Sequence, residues 1–225
     1  MSSLSLSLSR SNHSEHTDYN HKWKILVLGD EGCGKTSLIK KFCEGTFCTK
    51  DNHQKLGIGT DCLQKVLSLE NTSSNEIVNC LFDVWDIPGK TDKLSITSSF
   101  YRRTDGVVLM FDTTNACSFD SLNRWVQEIE RFFQGREVPC VLVGNKVDLL
   151  SDRDVEYNQG IDAAEKFHFI KYIEASNRSG VNIEEIFRIL GNAILSSSHD
   201  SSHHSHSNAV LLQPSNRSRS FCCTD

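Results

Sequence analysis

Residues 23–36 read Trp-Lys-Ile-Leu-Val-Leu-Gly-Asp-Glu-Gly-Cys-Gly-Lys-Thr, and this stretch decides the fold. Its first seven residues form a short apolar run that ends in glycine, which indicates a buried β-strand. The last eight, residues 29–36, match the pattern G-x-x-x-x-G-K-[ST] and are called the phosphate loop below. Residues 35–44 follow with an apolar spacing typical of a helix. A strand that enters a helix through such a loop is typical of proteins that bind nucleotide phosphates.

The phosphate loop supplies the groups that would hold a phosphate. Its glycines let the backbone curl so that successive N–H groups point at phosphate oxygens, beside the positive end of the helix. Lys35 would reach the β- and γ-phosphates, and the Thr36 hydroxyl would bind Mg²⁺. The residues assigned here to nucleotide binding are Gly29, Asp30, Glu31, Gly32, Cys33, Gly34, Lys35, Thr36 and Ser37.

A second motif decides between guanine and adenine. Asn145-Lys146-Val147-Asp148 comes directly after the apolar run of residues 138–144, and is called the guanine motif below. The carboxylate of Asp148 can accept hydrogen bonds from N1–H and the exocyclic amine of guanine, whereas adenine offers neither in that geometry. A buried carboxylate facing adenine would stay unpaired, which costs about 1–3 kcal/mol. We therefore assign Asn145, Lys146 and Asp148 to GTP or GDP rather than ATP.

Two shorter motifs also follow strand-like runs. In Asp86-Ile87-Pro88-Gly89, Asp86 would hold Mg²⁺ through a water and the Gly89 N–H would meet the γ-phosphate. This D-x-x-G pattern is common by chance, so only its position gives it weight. After the last strand-like run, backbone N–H groups of Ser176 and Asn177 would meet the guanine oxygen, and this is the weakest of the four motifs.

The rest of the chain alternates apolar runs with helical patterns. Residues 61–69 and 77–86 are strand-like and are joined by the turn-rich residues 70–75, which predicts an antiparallel hairpin. Apolar side chains at helical spacing from Phe119 to Phe133 predict one long helix. The whole pattern predicts an α/β fold with a six-stranded, mostly parallel sheet, one antiparallel edge strand, and helices on both faces. Such sheets bind ligands at the carboxyl ends of their strands, where all four motifs lie.

The two ends of the chain differ from its middle. Residues 1–21 and 196–225 are rich in Ser and His and hold little apolar surface, which predicts disorder, whereas residues 22–195 predict one globular domain. The net charge of −5 argues against a general nucleic-acid binder. No apolar run approaches the roughly 20 residues that span a bilayer. The nine cysteines are scattered without a C-x-x-C pair, as in a reduced cytosolic chain.

In this order, the four motifs resemble those of the small GTPases and, within them, the Rab family, over residues 22–195. Residues 58–61, 96–102 and 124–129 resemble Rab segments of the first switch, after the second switch and in the third helix. The resemblance implies a monomeric GTP-on, GDP-off switch of vesicle traffic, with effector proteins, an exchange factor and a GTPase-activating protein as partners. It also implies that Phe47 lies against the guanine ring and that Ser176 lies near it.

The end of the chain resembles Rab tails that carry geranylgeranyl groups, here on Cys222 and Cys223. One lipid chain binds a membrane marginally, whereas two anchor it stably. A single C-a-a-X prenylation site fits poorly because Thr224 and Asp225 are the wrong residue types. The resemblance therefore implies prenyl-transfer and GDI-type chaperones as partners. It places the protein on the cytoplasmic face of an intracellular membrane, with a cytosolic pool.

Several residues expected near the γ-phosphate depart from the family pattern. Lys90 stands where a Gln usually orients the attacking water, and a charged Lys accepts no hydrogen bond. Glu31 takes a position normally filled by a small residue, and Pro88 replaces the usual Ala. Gly57 stands where the first switch usually offers a Thr hydroxyl to Mg²⁺. Thr60 could take that role only through a register shift that spoils the match around it.

These departures predict slow intrinsic hydrolysis. Lys35 and Gly89 remain as groups acting on the γ-phosphate, while Lys90 is inactive as a water-orienting residue. Alternatively, Glu31 and Lys90 pair with each other as a latch over the nucleotide. Two functions stay open. One is an enzyme, a slow GTPase that cycles with help from its regulators, and the other is a binding module, a pseudo-GTPase locked with nucleotide that presents an effector surface.

Overall fold

The computed structural model describes residues 18–47, 62–71, 75–89 and 99–199. Its strands are β1 (His21–Gly29), β2 (Cys62–Asn71), β3 (Glu76–Asp86), β4 (Gly106–Asp112), β5 (Cys140–Asn145) and β6 (Lys171–Ala175). Its named helices are α1 (Lys35–Glu44), α2 (Ala116–Asp120), α3 (Leu122–Phe133), α4 (Tyr157–Lys166) and α5 (Ile183–His199), with a short 3₁₀ turn at Leu150–Asp152. Of the described helices, none is long and apolar enough to cross a membrane.

The described strands form one sheet in the order β2-β3-β1-β4-β5-β6. Only β2 pairs antiparallel, with β3, and the other neighbours are parallel. Every residue of β4 and β5 is buried, which explains why these strands read as continuous apolar runs. The edge strand β2 instead mixes buried and exposed positions. The predicted mostly parallel sheet with one antiparallel edge strand is confirmed.

Helices cover both faces of the sheet. On one face α1 and α5 meet, and the rings of Phe42 and Phe187 stack with centroids 3.7 Å apart. On the other face α3 and α4 pack through residues that include Trp125 and Ala163. Because both faces are filled by apolar packing, the carboxyl ends of the strands are left as the place where polar loops converge.

The long helix predicted from Phe119 to Phe133 is divided in the structure. The chain forms α2 and then α3, with Ser121 between them. The hydroxyl of Ser121 donates to the Cys117 carbonyl at 3.0 Å, the same carbonyl that accepts its backbone N–H at 3.1 Å. Such back-bonding by serine bends helices. The apolar spacing alone could not show this, since both helices face the same core.

Candidate nucleotide-binding site

The carboxyl ends of β1, β3, β5 and β6 bring the four predicted motifs together. Thr36, at the start of α1, contacts Asp86 at the end of β3. The amide of Asn145, at the end of β5, donates to the Cys33 carbonyl at 2.8 Å. The amide of Asn177, after β6, donates to the Gly34 carbonyl at 2.9 Å. The site is therefore one connected set of loops rather than four separate motifs.

The phosphate loop adopts a backbone conformation that requires glycine at residue 34. Gly34 has φ 101°, in the left-handed region that side chains rarely adopt. A Cβ atom there would lie 2.4 Å from the side-chain nitrogen of Asn145 and 2.7 Å from that of Asn177. Gly34 therefore allows both amides to approach the loop from the guanine side.

Lys35 lies inside the curl of the phosphate loop. Its side chain is buried, with 7% of the residue exposed. The ammonium donates to the carbonyls of Gly29 at 2.8 Å and Asp30 at 2.9 Å. These bonds take two of the three donors of an ammonium group and fix its position. The remaining donor suits the phosphate oxygen expected from the sequence.

The two side chains assigned to Mg²⁺ are in direct contact. The Thr36 hydroxyl donates to the carboxylate of Asp86, although the two residues lie 50 positions apart. A hydroxyl and a carboxylate are oxygen donors of the kind that Mg²⁺ takes, with water completing its shell. The residues present therefore fit the ion. Gly57 and Thr60, the alternatives for a further ligand, lie outside the described residues.

Asn145 joins the phosphate loop to the last of the four motifs. It is almost fully buried, with 1% exposed. Its side-chain nitrogen binds the Cys33 carbonyl, and its side-chain oxygen accepts the Asn177 N–H at 3.3 Å. The Asn177 N–H, which the sequence assigns to the guanine oxygen, thus has a long bond inside the protein. Burial raises the pKa of the neighbouring Cys33 thiol, which packs as a neutral apolar group.

Asp148 lies at the far end of the guanine motif and is exposed. One of its carboxylate oxygens accepts the Ser176 hydroxyl at 2.6 Å. That hydroxyl oxygen in turn accepts the backbone N–H of Ser179 at 3.1 Å. The carboxylate is held in place from one side, so it can present acceptors to a ligand that covers it. From the sequence, the Asp148 carboxylate is expected to be buried, and that burial would have to come from the ligand.

Lys146 is held by a residue that the sequence analysis missed. Its ammonium lies 2.5 Å from a carboxylate oxygen of Asp112, at the end of β4, and Asp112 is only 6% exposed. The other oxygen of Asp112 accepts from the backbone and hydroxyl of Thr114. An aspartate at the carboxyl end of a buried strand could have been recognised from the sequence as a candidate site residue, because ligands bind at this edge of the sheet.

A second missed contact reaches the phosphate loop from α3. One carboxylate oxygen of Asp30 accepts from the Arg124 guanidinium at 2.6 Å and from the Trp125 indole N–H at 2.8 Å. The guanidinium also lies over the Trp125 ring, 4.8 Å from its centroid. These partners are 94 and 95 positions from Asp30, and no local pattern connects them.

Gly89 lies directly against the phosphate loop. A Cβ atom on it would lie 2.3 Å from the Glu31 nitrogen and 2.7 Å from the Asp30 carbonyl carbon. Glu31 is exposed beside this contact. Phe47 is 40% exposed after α1, and its role against the guanine ring stays a prediction. Lys90, Cys222 and Cys223 lie outside the described residues.

Comparison with known proteins gives one consistent result. The family model described as "Ras family" matches residues 24–196. "Ras-related protein Rab-12" of Mus musculus is 32% identical over 174 residues, which cover 77% of this chain and 68% of that relative. "Ras-related protein Rab-1" of Theileria parva is 32% identical over 79% of this chain and 76% of its own length. "Ras-related protein Rab-7L1" of Mus musculus is 33% identical over 91% of this chain and 98% of its own length.

Proposed function

The chain belongs to the Ras family as a divergent Rab-related small GTPase, and on this premise we propose that it is a membrane-associated switch of vesicle traffic. The switch alternates between a GTP form and a GDP form. In the GTP form it recruits effector proteins, and an exchange factor and a GTPase-activating protein set the balance between the two. Its intrinsic hydrolysis is slow.

The observation that carries the guanine assignment is the bond between Ser176 and Asp148, at 2.6 Å. It holds a carboxylate at one end of the site, while Asn145 ties the guanine motif to the phosphate loop at the other. A carboxylate fixed in this way favours a base with two adjacent N–H donors and leaves an adenine unsatisfied. The direct test is to compare the affinities for GDP and ADP in the presence of Mg²⁺. Equal affinities would contradict the assignment.

At the phosphate end, each residue has a separate role. Lys35 holds an ammonium inside the loop, next to backbone N–H groups that bind phosphate oxygens. Thr36 and Asp86 would hold Mg²⁺, which neutralises charge on the β- and γ-phosphates when bound. The Gly89 N–H would donate to the γ-phosphate, and its lack of a side chain lets the backbone lie against the phosphate loop.

Slow hydrolysis follows from what surrounds that γ-phosphate. Glu31, whose backbone contacts Gly89, adds a negative charge to the phosphate loop at this point. Lys90 follows directly and replaces the residue that orients the attacking water. Single-turnover hydrolysis of bound GTP tests this. The double variant Lys90→Gln with Glu31→Gly should hydrolyse faster than the natural chain, whereas the exposed control Lys171→Gln should not. A natural chain that already hydrolyses GTP at the rate of an ordinary Rab would overturn the proposal.

A second candidate function is a pseudo-GTPase that holds its nucleotide without cycling. The contact of Gly89 with the phosphate loop beside the exposed Glu31 favours it, because an ion pair between Glu31 and Lys90 could close over the nucleotide there. The nucleotide that copurifies with the protein distinguishes the two. GTP alone supports the locked module, and mostly GDP supports the cycling switch.

The membrane role rests on the last two cysteines of the sequence. We propose that Cys222 and Cys223 each carry a geranylgeranyl group, delivered by prenyl-transfer chaperones and masked by a GDI-type chaperone in the cytosol. Two such chains hold the protein on the cytoplasmic face of an intracellular membrane. Replacing both cysteines by serine should move the protein from the membrane fraction to the cytosol, and mass spectrometry of the tail should show the loss of both lipids.

A further inference from the structure

The contact between the phosphate loop and α3 is not part of the nucleotide motifs. It consists of Asp30, Arg124 and Trp125, and we call it the Asp30 clamp. Both donors reach the same carboxylate oxygen, at 2.6 Å from the guanidinium and 2.8 Å from the indole N–H. The clamp connects the second residue of the loop to a helix on the opposite face of the sheet from α1.

The two donors of the clamp have different properties. Trp125 is 1% exposed and packs in the core, so its N–H is a fixed donor. The Arg124 side chain is 49% exposed and supplies the positive charge that pairs with Asp30. Its guanidinium lies over the Trp125 ring, which restricts where it can move. The rigid ring thus sets the position of the carboxylate, and the arginine balances its charge.

The backbone of Asp30 carries this anchoring into the site. Its carbonyl accepts the Lys35 ammonium at 2.9 Å, so the clamp fixes one of the two carbonyls that position that ammonium. The Asp30 carbonyl carbon is also one of the atoms against which Gly89 lies. In the proposed function, Gly89 marks the place of the γ-phosphate. The backbone of Asp30 therefore lies at the phosphate end of the site.

We propose that Arg124 is a positioning residue that allows the phosphate loop to hold a terminal phosphate despite the Asp30 carboxylate. An unbalanced carboxylate beside the γ-phosphate repels GTP more than GDP, because GDP lacks that group. Arg124 offsets this charge and keeps the Asp30 carbonyl in place for Lys35. The clamp thus sets the relative affinity for the two nucleotides. This inference rests on the guanine nucleotide of the proposed function.

The test measures dissociation constants for GDP and for a non-hydrolysable GTP analogue, with Mg²⁺ present. Arg124→Gln should weaken analogue binding relative to GDP binding by about three- to tenfold. Arg124→Lys keeps the charge, so its affinity for the analogue relative to GDP should be close to that of the natural chain. Arg131→Gln removes the same charge from an exposed position of the same helix, where Arg131 lies over Phe132, and should leave the ratio unchanged.

Variants that also lack the Asp30 charge separate charge balance from general structural support. Asp30→Asn removes the repelling carboxylate and should raise the affinity for the analogue relative to GDP, and the double variant Asp30→Asn with Arg124→Gln, in which neither charge is present, should return the ratio close to that of the natural chain. A double variant whose ratio stays as low as that of Arg124→Gln would overturn the proposal, as would equal weakening of GDP and analogue binding in Arg124→Gln. A natural chain that shows no preference for guanine nucleotides overturns the proposed function and this inference together. Normal guanine binding with an unchanged ratio in Arg124→Gln overturns this inference alone.

Discussion

The hydroxyl of Ser176 lies 2.6 Å from a carboxylate oxygen of Asp148, although 28 positions separate the two residues. The bond joins the loop after β6 to the guanine motif after β5. It uses one carboxylate oxygen of Asp148, and the residue is exposed. The consequence is a preoriented acceptor for a base, which can be tested from either partner.

Asp148→Asn should lower the affinity for GDP by about 10- to 150-fold, because hydrogen bonds to a charged acceptor are lost. Ser176→Ala should lower it by only about two- to tenfold, since the carboxylate remains and loses its support. Equilibrium binding of a fluorescent GDP measures both. The matched control is Asp152→Asn, an exposed carboxylate that accepts the Ser151 hydroxyl in the nearby 3₁₀ turn. Equal losses in the Asp148 and Asp152 variants would contradict the assignment.

Gly34→Ala should weaken nucleotide binding by at least about tenfold without unfolding the chain. The added Cβ would lie 2.4 Å from the Asn145 amide and 2.7 Å from the Asn177 amide. Gly135→Ala is a matched control, because Gly135 also has positive φ but has nothing within 4 Å of the new atom. Both variants should lose about 1 kcal/mol of stability to backbone strain, and Gly34→Ala should lose more than that because two buried amides must shift. Only Gly34→Ala should lose at least about tenfold in GDP affinity, and equal binding by the two variants would contradict the role of the amides.

Thr36→Val should make nucleotide binding less dependent on Mg²⁺. The substitution keeps the shape of the side chain but removes the hydroxyl that contacts Asp86. We expect the apparent affinity for Mg²⁺ to fall by at least about tenfold. The measurement is the rate of GDP release with Mg²⁺ and after chelation. Ser68→Ala, which removes a hydroxyl from the exposed hairpin, is the control. A Thr36 variant with the Mg²⁺ response of the natural chain would exclude this threonine as a ligand.

Asp105→Asn should change how stability depends on pH. Burial raises the pKa of Asp105 above 3.8, while its carboxylate accepts the Lys24 N–H at 2.8 Å. A carboxyl with a raised folded pKa stabilises the protein when protonated and loses that contribution as pH rises through the folded pKa. The stability of the variant, measured relative to that of the natural chain, should therefore be higher at pH 7 than near pH 3.5. Urea unfolding at both pH values measures the stability of the variant and of the natural chain. A stability difference between the two proteins that is the same at both pH values would refute the expectation.

Much of the fold follows from local patterns in the sequence. The buried strand β4 is a run of six apolar or small residues followed by Asp112, and the alternation of strands with helices predicts a mostly parallel sheet. The break at Ser121 could not be predicted, because the sequence does not show that this serine hydroxyl donates to the Cys117 carbonyl. Periodicity reports which face is buried, but not where a helix bends.

The sequence by itself determined the phosphate loop, the guanine motif and the side of the sheet where they meet, because each depends on residues that are close along the chain. The tertiary structure decided which side chains support them: Asp112 under Lys146, Ser176 beside Asp148, and Arg124 with Trp125 on Asp30. Such contacts depend on how distant elements pack, and packing is fixed only when the whole core is assembled. Motif chemistry is thus local, whereas the position and charge balance of that chemistry belong to the folded domain.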